Sequence, residues 1–239
     1  MLLRHLCLLL LLGAGLQTAP VHADDDLSEL RTPLGNEWQL TRQDQRRNIK
    51  TFSRLEDGKR YRSFKVEAEL DARLETLARV LIDVDNYTKW FWHTRESRLL
   101  KQVSPTEFIV YMVHNAPAGL PDRDSVVRVI VEPQTRSKPY LTLRASAVPD
   151  YIPQRKPLVR MSAEEITVKY SPIATNKIRI EVEGYFDAGG AIPAWAVNFV
   201  QRSAPYSVVL GLQRMVDSDH YALAKTPLPF TVYEWSSYN

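Results

Sequence analysis

The sequence is poor in cysteine and glycine. Its single cysteine, Cys7, lies in an apolar run near the start of the chain, and only nine glycines are present in 239 residues. One cysteine can form neither an internal disulfide nor a cysteine-rich metal site. Because Cys7 lies inside an apolar run, we also exclude a thiol nucleophile in the folded part of the chain.

The sequence also lacks the motifs on which common active sites are built. The histidines beyond residue 23 are His93, His114 and His220, which are too far apart to form a short metal-binding pair. No Gly-x-Ser-x-Gly segment supplies a nucleophile. The one pair of adjacent glycines, Gly189 and Gly190, is not followed by the lysine of a phosphate-binding loop. We therefore predict no catalytic residue, no metal ion and no cofactor.

Neither sign of charge is in large excess. The formal net charge is +3, and it falls by one if the first 23 residues are removed, since Arg4 is lost with them. This balance gives no reason to expect nucleic acid as a partner, although a transient contact with a membrane surface is compatible with it. A chain of this length can bury a sufficient core as one domain, and we expect a monomer.

The first 23 residues have the pattern of a secretory signal peptide. Arg4 precedes the apolar run 6–12, and residues 21–23 (VHA) form a small-x-small cleavage site after Ala23. The run is short for a membrane span, which disfavours the alternative of an uncleaved anchor. Export without disulfides is unremarkable in a bacterial periplasm, whereas a secreted eukaryotic domain more often carries them, so we predict a periplasmic or secreted protein. The predicted divisions are a signal peptide (1–23), a flexible lead-in (24–36), one domain (37–225) and a loose tail (226–239).

Alternating and helical patterns predict an α+β fold. Apolar and charged residues alternate over 63–70, as in a half-buried strand, and helical spacing follows up to Asp83, with Asp71 as the expected N-cap. A long apolar helix is predicted over 193–223, with Pro205 kinking or dividing it. An antiparallel sheet should curl around this helix and leave room for a pocket. Further strands are predicted at 97–103, 106–114, 124–132, 140–147, 165–170 and 177–186, with two short ones within 38–52.

Three local features admit two interpretations each. The aromatic cluster 87–92 fits a packed corner better than a binding site. His114, at a strand end, could hydrogen-bond a ligand head group, but we favour a solvated or internally satisfied histidine. Arg123 and Asp124 are predicted to form an ion pair at the start of a strand rather than to contact a ligand directly.

Two blocks of this sequence resemble the StAR-related lipid transfer (START) domain, particularly its bacterial members. Residues 115–128 (NAPAGLPDRDSVVR) are similar to the family's Pro/Gly loop followed by Arg-Asp and an aliphatic strand. Residues 185–198 (YFDAGGAIPAWAVN) are similar to its segment leading into the last helix, with Ala188 in place of the usual proline. A weaker similarity covers residues 158–160.

The resemblance implies a helix-grip (START/Bet v 1-like) fold, in which a U-shaped antiparallel sheet wraps the C-terminal helix around an apolar tunnel. It implies a lid formed by Ala116, Pro117, Gly119 and Leu120, and structural roles for Arg123, Asp124, Gly189, Gly190 and Pro193. Some sterol-binding members place an arginine where Val129 falls here; Arg128, one residue earlier, should face the opposite way. From alternation and helical spacing, the candidate ligand-binding residues are Val127, Val129, Leu141, Leu143, Ile180, Val182, Ile192, Trp195, Ala196 and Phe199.

The resemblance and the apolar patterns together predict binding of a lipid, a sterol or a similar hydrophobic molecule without chemical change, and transfer of that molecule is the further expectation. The alternatives are an enzyme of cyclase or hydratase type on the same fold, and a scaffold with a closed cavity. An enzyme would need polar groups inside the tunnel, for which Tyr111, His114 and Arg128 are the nearest candidates.

Overall fold

The structure is a computed structural model that describes residues 37–117 and 119–238. The predicted signal peptide, with Cys7, and the lead-in lie outside the described residues. Within the described residues, no helix is long and apolar enough to cross a bilayer.

One large, mostly antiparallel sheet forms the body of the protein. Its strands are β1 (Gln39–Asp44), β2 (Ile49–Arg54), β3 (Ser63–Leu70), β4 (Thr94–Ser104), β5 (Glu107–His114), β6 (Arg123–Glu132), β7 (Leu141–Ala147), β8 (Val159–Arg160), β9 (Ala163–Ala174) and β10 (Lys177–Asp187). Their order in the sheet is β1-β2-β3-β10-β9-β7-β6-β5-β4. The short β8 pairs with β6 in parallel, off the main path. Strand β3, near the start of the domain, pairs with β10, which lies more than 100 residues later, so segments far apart in the sequence are neighbours in the middle of the sheet.

The helices lie mainly against one face of this sheet. Helix α1 (Leu74–Ile82) is followed by a 3-10 turn (Val84–Lys89), and the long helix α2 (Ala194–Val216) is followed by α3 (Asp219–Ala222) and a 3-10 turn (Trp235–Ser237). Apolar side chains of α2 join inward-facing residues of β3, β9 and β10 in one core. The α+β helix-grip architecture is confirmed.

Pro205 neither divides nor ends the long helix, contrary to our expectation. It lies inside the continuous helix α2, which ends at Val216 rather than near Leu223. The break occurs after Asp217, where the Ser218 hydroxyl donates to the Met215 carbonyl at 2.8 Å and satisfies one of the open helix-end acceptors. A proline costs one helical hydrogen bond, and the buried position of Pro205 shows that packing offsets this loss here.

The segment after residue 225 is not a loose tail in the structure. Phe230 and Val232 pack on the core, and the amide and carbonyl of Tyr233 both hydrogen-bond the Gln134 side chain, at 2.8 and 2.9 Å. Glu234 accepts hydrogen bonds from the amides of Leu74 and Glu75 at 3.2 and 3.1 Å. The N-cap position of α1 is Arg73, without a side-chain cap of its own, so the Asp71 prediction is wrong and the cap comes from the far end of the chain.

Candidate ligand-binding cavity

A cavity of about 270 Å³ lies between the concave face of the sheet and helix α2. Its floor is made of inward-facing strand residues, because alternate positions of a strand share one face. Its roof is Ile192, just before α2, and the inner side of α2 from Ala196 to Leu212. The aromatic corner formed by Tyr87, Trp90, Phe91 and Trp92 lines one part of the wall, so the cluster we predicted to be packing also borders the hollow space.

Most of the predicted ligand-binding residues lie in this wall. The structure places there Val127, Val129, Leu143, Ile180, Val182, Ile192 and Ala196. Strand alternation identified five of them, because the inner face of each strand continues from the solid core into the hollow. That any of these residues contacts a ligand stays a prediction.

Three of the predicted residues lie elsewhere. Leu141 borders a separate space of about 20 Å³ beside Phe230, which the tail segment covers. Trp195 and Phe199 lie on the outer side of α2, and their side chains are 54% and 46% exposed. The helix is apolar over much of its circumference, so its composition could not show which side faces inward.

The loop between β5 and β6 covers the end of the cavity near the start of α2. Ala116, Pro117 and Leu120 line the cavity, whereas Gly119 does not. The loop is fixed at its base, where the Ala116 amide donates to Asp122 at 2.9 Å. Gly119 has φ +83°, a conformation that strongly favours glycine, and a Cβ at this position would meet open space.

The segment leading into α2 depends on its two glycines. Gly189 and Gly190 have φ of +67° and +63°. A Cβ on Gly189 would lie 2.5 Å from the Arg160 carbonyl oxygen, so the backbone here passes too close to β8 for any other residue. Pro193 is the N-cap residue, one position before the first helical residue. Together they set where α2 turns back across the sheet.

Arg123 and Asp124 do not form the predicted ion pair. Consecutive strand residues point to opposite faces, and here Asp124 lies fully buried behind the sheet while Arg123 lines the cavity. Asp124 is bound instead by Arg160 through two contacts of 3.0 Å and accepts a hydrogen bond from the Tyr111 hydroxyl at 3.1 Å. Arg123 and Asp124, although adjacent in the sequence, therefore lie on opposite faces of the sheet, one in the cavity wall and one in a buried network behind it.

The polar residues that we considered for an enzyme are not brought together. The Tyr111 hydroxyl is used on Asp124, and Arg128 is exposed and pairs with Glu107 at 2.7 Å. His114 alone of the three lines the cavity; its Nδ1 lies 3.1 Å from the Thr94 hydroxyl and 3.3 Å from the Trp92 carbonyl. Burial lowers the pKa of His114 to about 4, so its ring is neutral at physiological pH.

Two polar wall residues were missed by the sequence analysis. Tyr61 and Glu164 are 3% and 6% exposed, and each carries a buried oxygen without a hydrogen-bond partner. Burial raises the pKa of Glu164 to about 7, while the Ser125 hydroxyl acts in the opposite direction. Glu164 lies at an inward position of β9 just before the alternating run we recognised, and this continuation of the pattern was the available signal. Among the described residues, no group of histidine, cysteine, aspartate and glutamate side chains could hold a metal ion.

Comparison with known proteins assigns the family. The START domain model matches residues 21–204. An uncharacterized protein of Pseudomonas aeruginosa is 24% identical over 180 residues, covering 75% of this chain and 87% of that protein. The structure of a STAR-related lipid transfer protein fragment from Xanthomonas axonopodis superposes with a TM-score of 0.68 at 28% identity, covering 76% of this chain and 99% of that one.

Human STARD10 superposes with a TM-score of 0.64 at 21% identity, covering 84% of this chain and 82% of that one, a likeness that concerns the fold. The family match extends over most of the sheet, the glycine segment before α2 and the first half of α2, and these elements form most of the cavity wall. This chain belongs to the START domain family.

Proposed function

We propose that this protein binds one molecule of a hydrophobic ligand in the cavity under α2 and releases it unchanged. The observation that carries the proposal is the cavity of about 270 Å³ with an almost wholly apolar wall. Burying apolar ligand surface contributes roughly 0.8 kcal/mol for each CH₂ group. A chain of about ten buried methylenes therefore provides enough gross free energy to offset the cost of association.

The compartment we propose is the bacterial periplasm. The support comes from residues 1–23, with their short basic start, apolar run and small-x-small site, and from the absence of cysteine after Cys7. A carrier in that compartment would move apolar molecules through the water between two membranes.

Contact with a membrane is part of the proposal, and two exposed aromatic residues support it. Trp195 and Phe199 lie near the start of α2, and the ring of Phe199 is 5.8 Å from that of Trp92, a residue of the cavity wall. Tryptophan and other aromatic side chains favour the interface between lipid and water. Docking through this surface would place the cavity mouth against the bilayer.

The binding proposal is tested by expressing the chain with its first 23 residues in a bacterial host, purifying it without detergent and identifying extracted molecules by mass spectrometry. We expect an intact lipid or similar amphiphile at close to one per protein. A chemically altered product would favour the enzyme alternative. If no molecule is extracted and an added fluorescent fatty acid does not bind either, the proposal is rejected in favour of a scaffold with a closed cavity.

Membrane docking is tested by measuring transfer of a fluorescent lipid between vesicles. Trp195→Ser and Phe199→Ser should each slow transfer severalfold without weakening ligand binding in solution. Leu223→Ser is the matched control, because Leu223 is 71% exposed and lies beyond the far end of α2, about 30 Å away along the helix. Equal transfer rates in all of these variants would remove the docking surface from the proposal.

A further inference from the structure

The cavity wall contains a buried arginine without a carboxylate partner. Arg123 is 7% exposed, lines the cavity, and forms no ion pair with any of the described residues. One terminal nitrogen donates to the Pro121 carbonyl, while the buried Nε has no hydrogen-bond partner. A guanidinium has five N–H donors and cannot be deprotonated in a protein, so most of its hydrogen-bonding capacity is unused.

Arg160, a short distance away, shows how this fold satisfies a buried arginine when the role is structural. Its guanidinium binds both carboxylate oxygens of Asp124 at 3.0 Å and also contacts backbone carbonyls of the loop before β8. Arg123 has no carboxylate within ion-pair distance among the described residues; Asp122, its neighbour in the sequence, pairs with Arg95 at 3.1 Å instead. A buried charge normally carries a compensating partner, whereas the Arg123 side chain borders the cavity.

A second unpartnered donor accompanies Arg123 in the wall. The Tyr61 hydroxyl is buried and makes no hydrogen bond, and the side chain is 3% exposed. Tyr61 and Arg123 lie close enough to influence each other's ionisation. Burial raises the pKa of Tyr61, so its phenol keeps the proton and can donate. Both groups therefore call for an acceptor from the ligand.

The geometry points to an amphiphilic ligand. We propose that Arg123, assisted by the Tyr61 hydroxyl, binds the acidic oxygen head group of the ligand, a carboxylate or a phosphate, while the apolar tail fills the rest of the cavity. This inference rests on the proposed function. Planar guanidinium groups match such head groups with paired hydrogen bonds.

The position of Arg123 also gives the bound molecule a direction. Arg123 begins β6 directly after the covering loop and pairs with His114 at the end of β5. The tail would then run inward along α2 toward Val209 and Leu212, where the wall is apolar. Glu164 is the single acidic residue among the described cavity-lining residues, so one arginine and one acid set the charge of the wall.

The experiment compares three probes of equal chain length: palmitate, its methyl ester and hexadecanol. Binding is measured with wild type, Arg123→Met and Arg62→Met. Arg62 is the matched control because it also has a buried terminal nitrogen without a partner but does not line the cavity. We expect wild type and Arg62→Met to bind palmitate roughly 10- to 100-fold more tightly than the uncharged probes, the range expected for a hydrogen bond to a charged group, and Arg123→Met to lose this preference.

Lysophosphatidate, tested beside palmitate, shows which acidic head group is preferred; tighter binding of either supports the inference. Equal affinities for acid, ester and alcohol in wild type would overturn the head-group inference and leave the proposed function intact. Failure to bind any of the probes would overturn both. Should Arg123→Met not fold, the wild-type comparison and Arg123→Lys, which keeps the charge without the planar fork, decide the same question.

Discussion

Three charged residues withdrawn from water illustrate three different solutions to the same problem. Arg160 has a carboxylate partner, Glu164 has a raised pKa, and Arg123 faces the cavity. Burying an unpaired charge costs several kcal/mol, so each arrangement has a measurable consequence. All three side chains are withdrawn from water, so burial alone does not distinguish their roles. The presence or absence of an oppositely charged partner does.

Glu164 should make stability depend on pH. Its pKa is raised from 4.5 to about 7, so between these pH values the folded protein holds a proton that the unfolded chain has released. Stability should therefore fall as pH rises through this window. Glu164→Gln removes the effect and should raise the unfolding free energy at pH 8 by on the order of 3 kcal/mol, with no gain at pH 4. Urea unfolding at both pH values measures this, with the exposed Glu165→Gln as control; parallel pH profiles for wild type and Glu164→Gln would contradict the prediction.

Removing Arg160 should be far more damaging than removing an exposed arginine on the same sheet. Arg160→Ala leaves Asp124 buried without its partner, and breaking a buried pair in this way costs about 3–5 kcal/mol. Arg128→Ala breaks the 2.7 Å contact with Glu107, but Arg128 is 48% exposed, so the loss should stay below about 1 kcal/mol. Urea denaturation of both variants gives the comparison, and similar losses would show that the buried network is not a stabilising centre.

Local patterns predicted the elements of this fold well because their causes are local. The alternation over Ser63–Leu70 and Lys177–Asp187 follows from one buried face, and the two strands pair in the structure as neighbours. The cap of α1 could not be predicted in this way. Its acceptor, Glu234, is about 160 residues away along the chain, and no periodicity near Leu74 indicates it.

The cap supplied by Glu234 should stabilise helix α1. Two open amides of the first turn lose their acceptor in Glu234→Ala, and loss of a helix cap costs about 1–2 kcal/mol. Hydrogen exchange of the α1 amides should speed up together with a lower unfolding free energy. Glu181→Ala serves as control because Glu181 forms an exposed pair with Lys169. If the two variants lose equal stability and α1 exchanges no faster, the tail does not act as a cap.

At the scale of the whole molecule, the sheet and α2 enclose a space that neither element indicates alone. Alternation predicts which side chains point inward, but an inward position can border solid packing, as for Leu141, or the cavity, as for Val129. The difference depends on how far α2 stands from the sheet, and this is set by close contacts such as that of Gly211 with the Trp90 backbone. The sequence pattern therefore predicts which strand residues face inward but not the volume of the cavity that they line.

Exchange of a ligand requires this enclosed space to open, and the covering loop offers a test with a matched control. Gly119 and Gly58 have φ of +83° and +78°, and an added Cβ meets nothing within 4 Å at either position. Alanine at each should therefore introduce similar backbone strain, about 1 kcal/mol, but only Gly119 belongs to the loop over the cavity. If the strain weakens the closed loop, Gly119→Ala should release a bound fluorescent fatty acid about fivefold faster, while Gly58→Ala releases it at the wild-type rate. Stopped-flow displacement measures these rates, and equal release by all three proteins would show that the ligand leaves by another route.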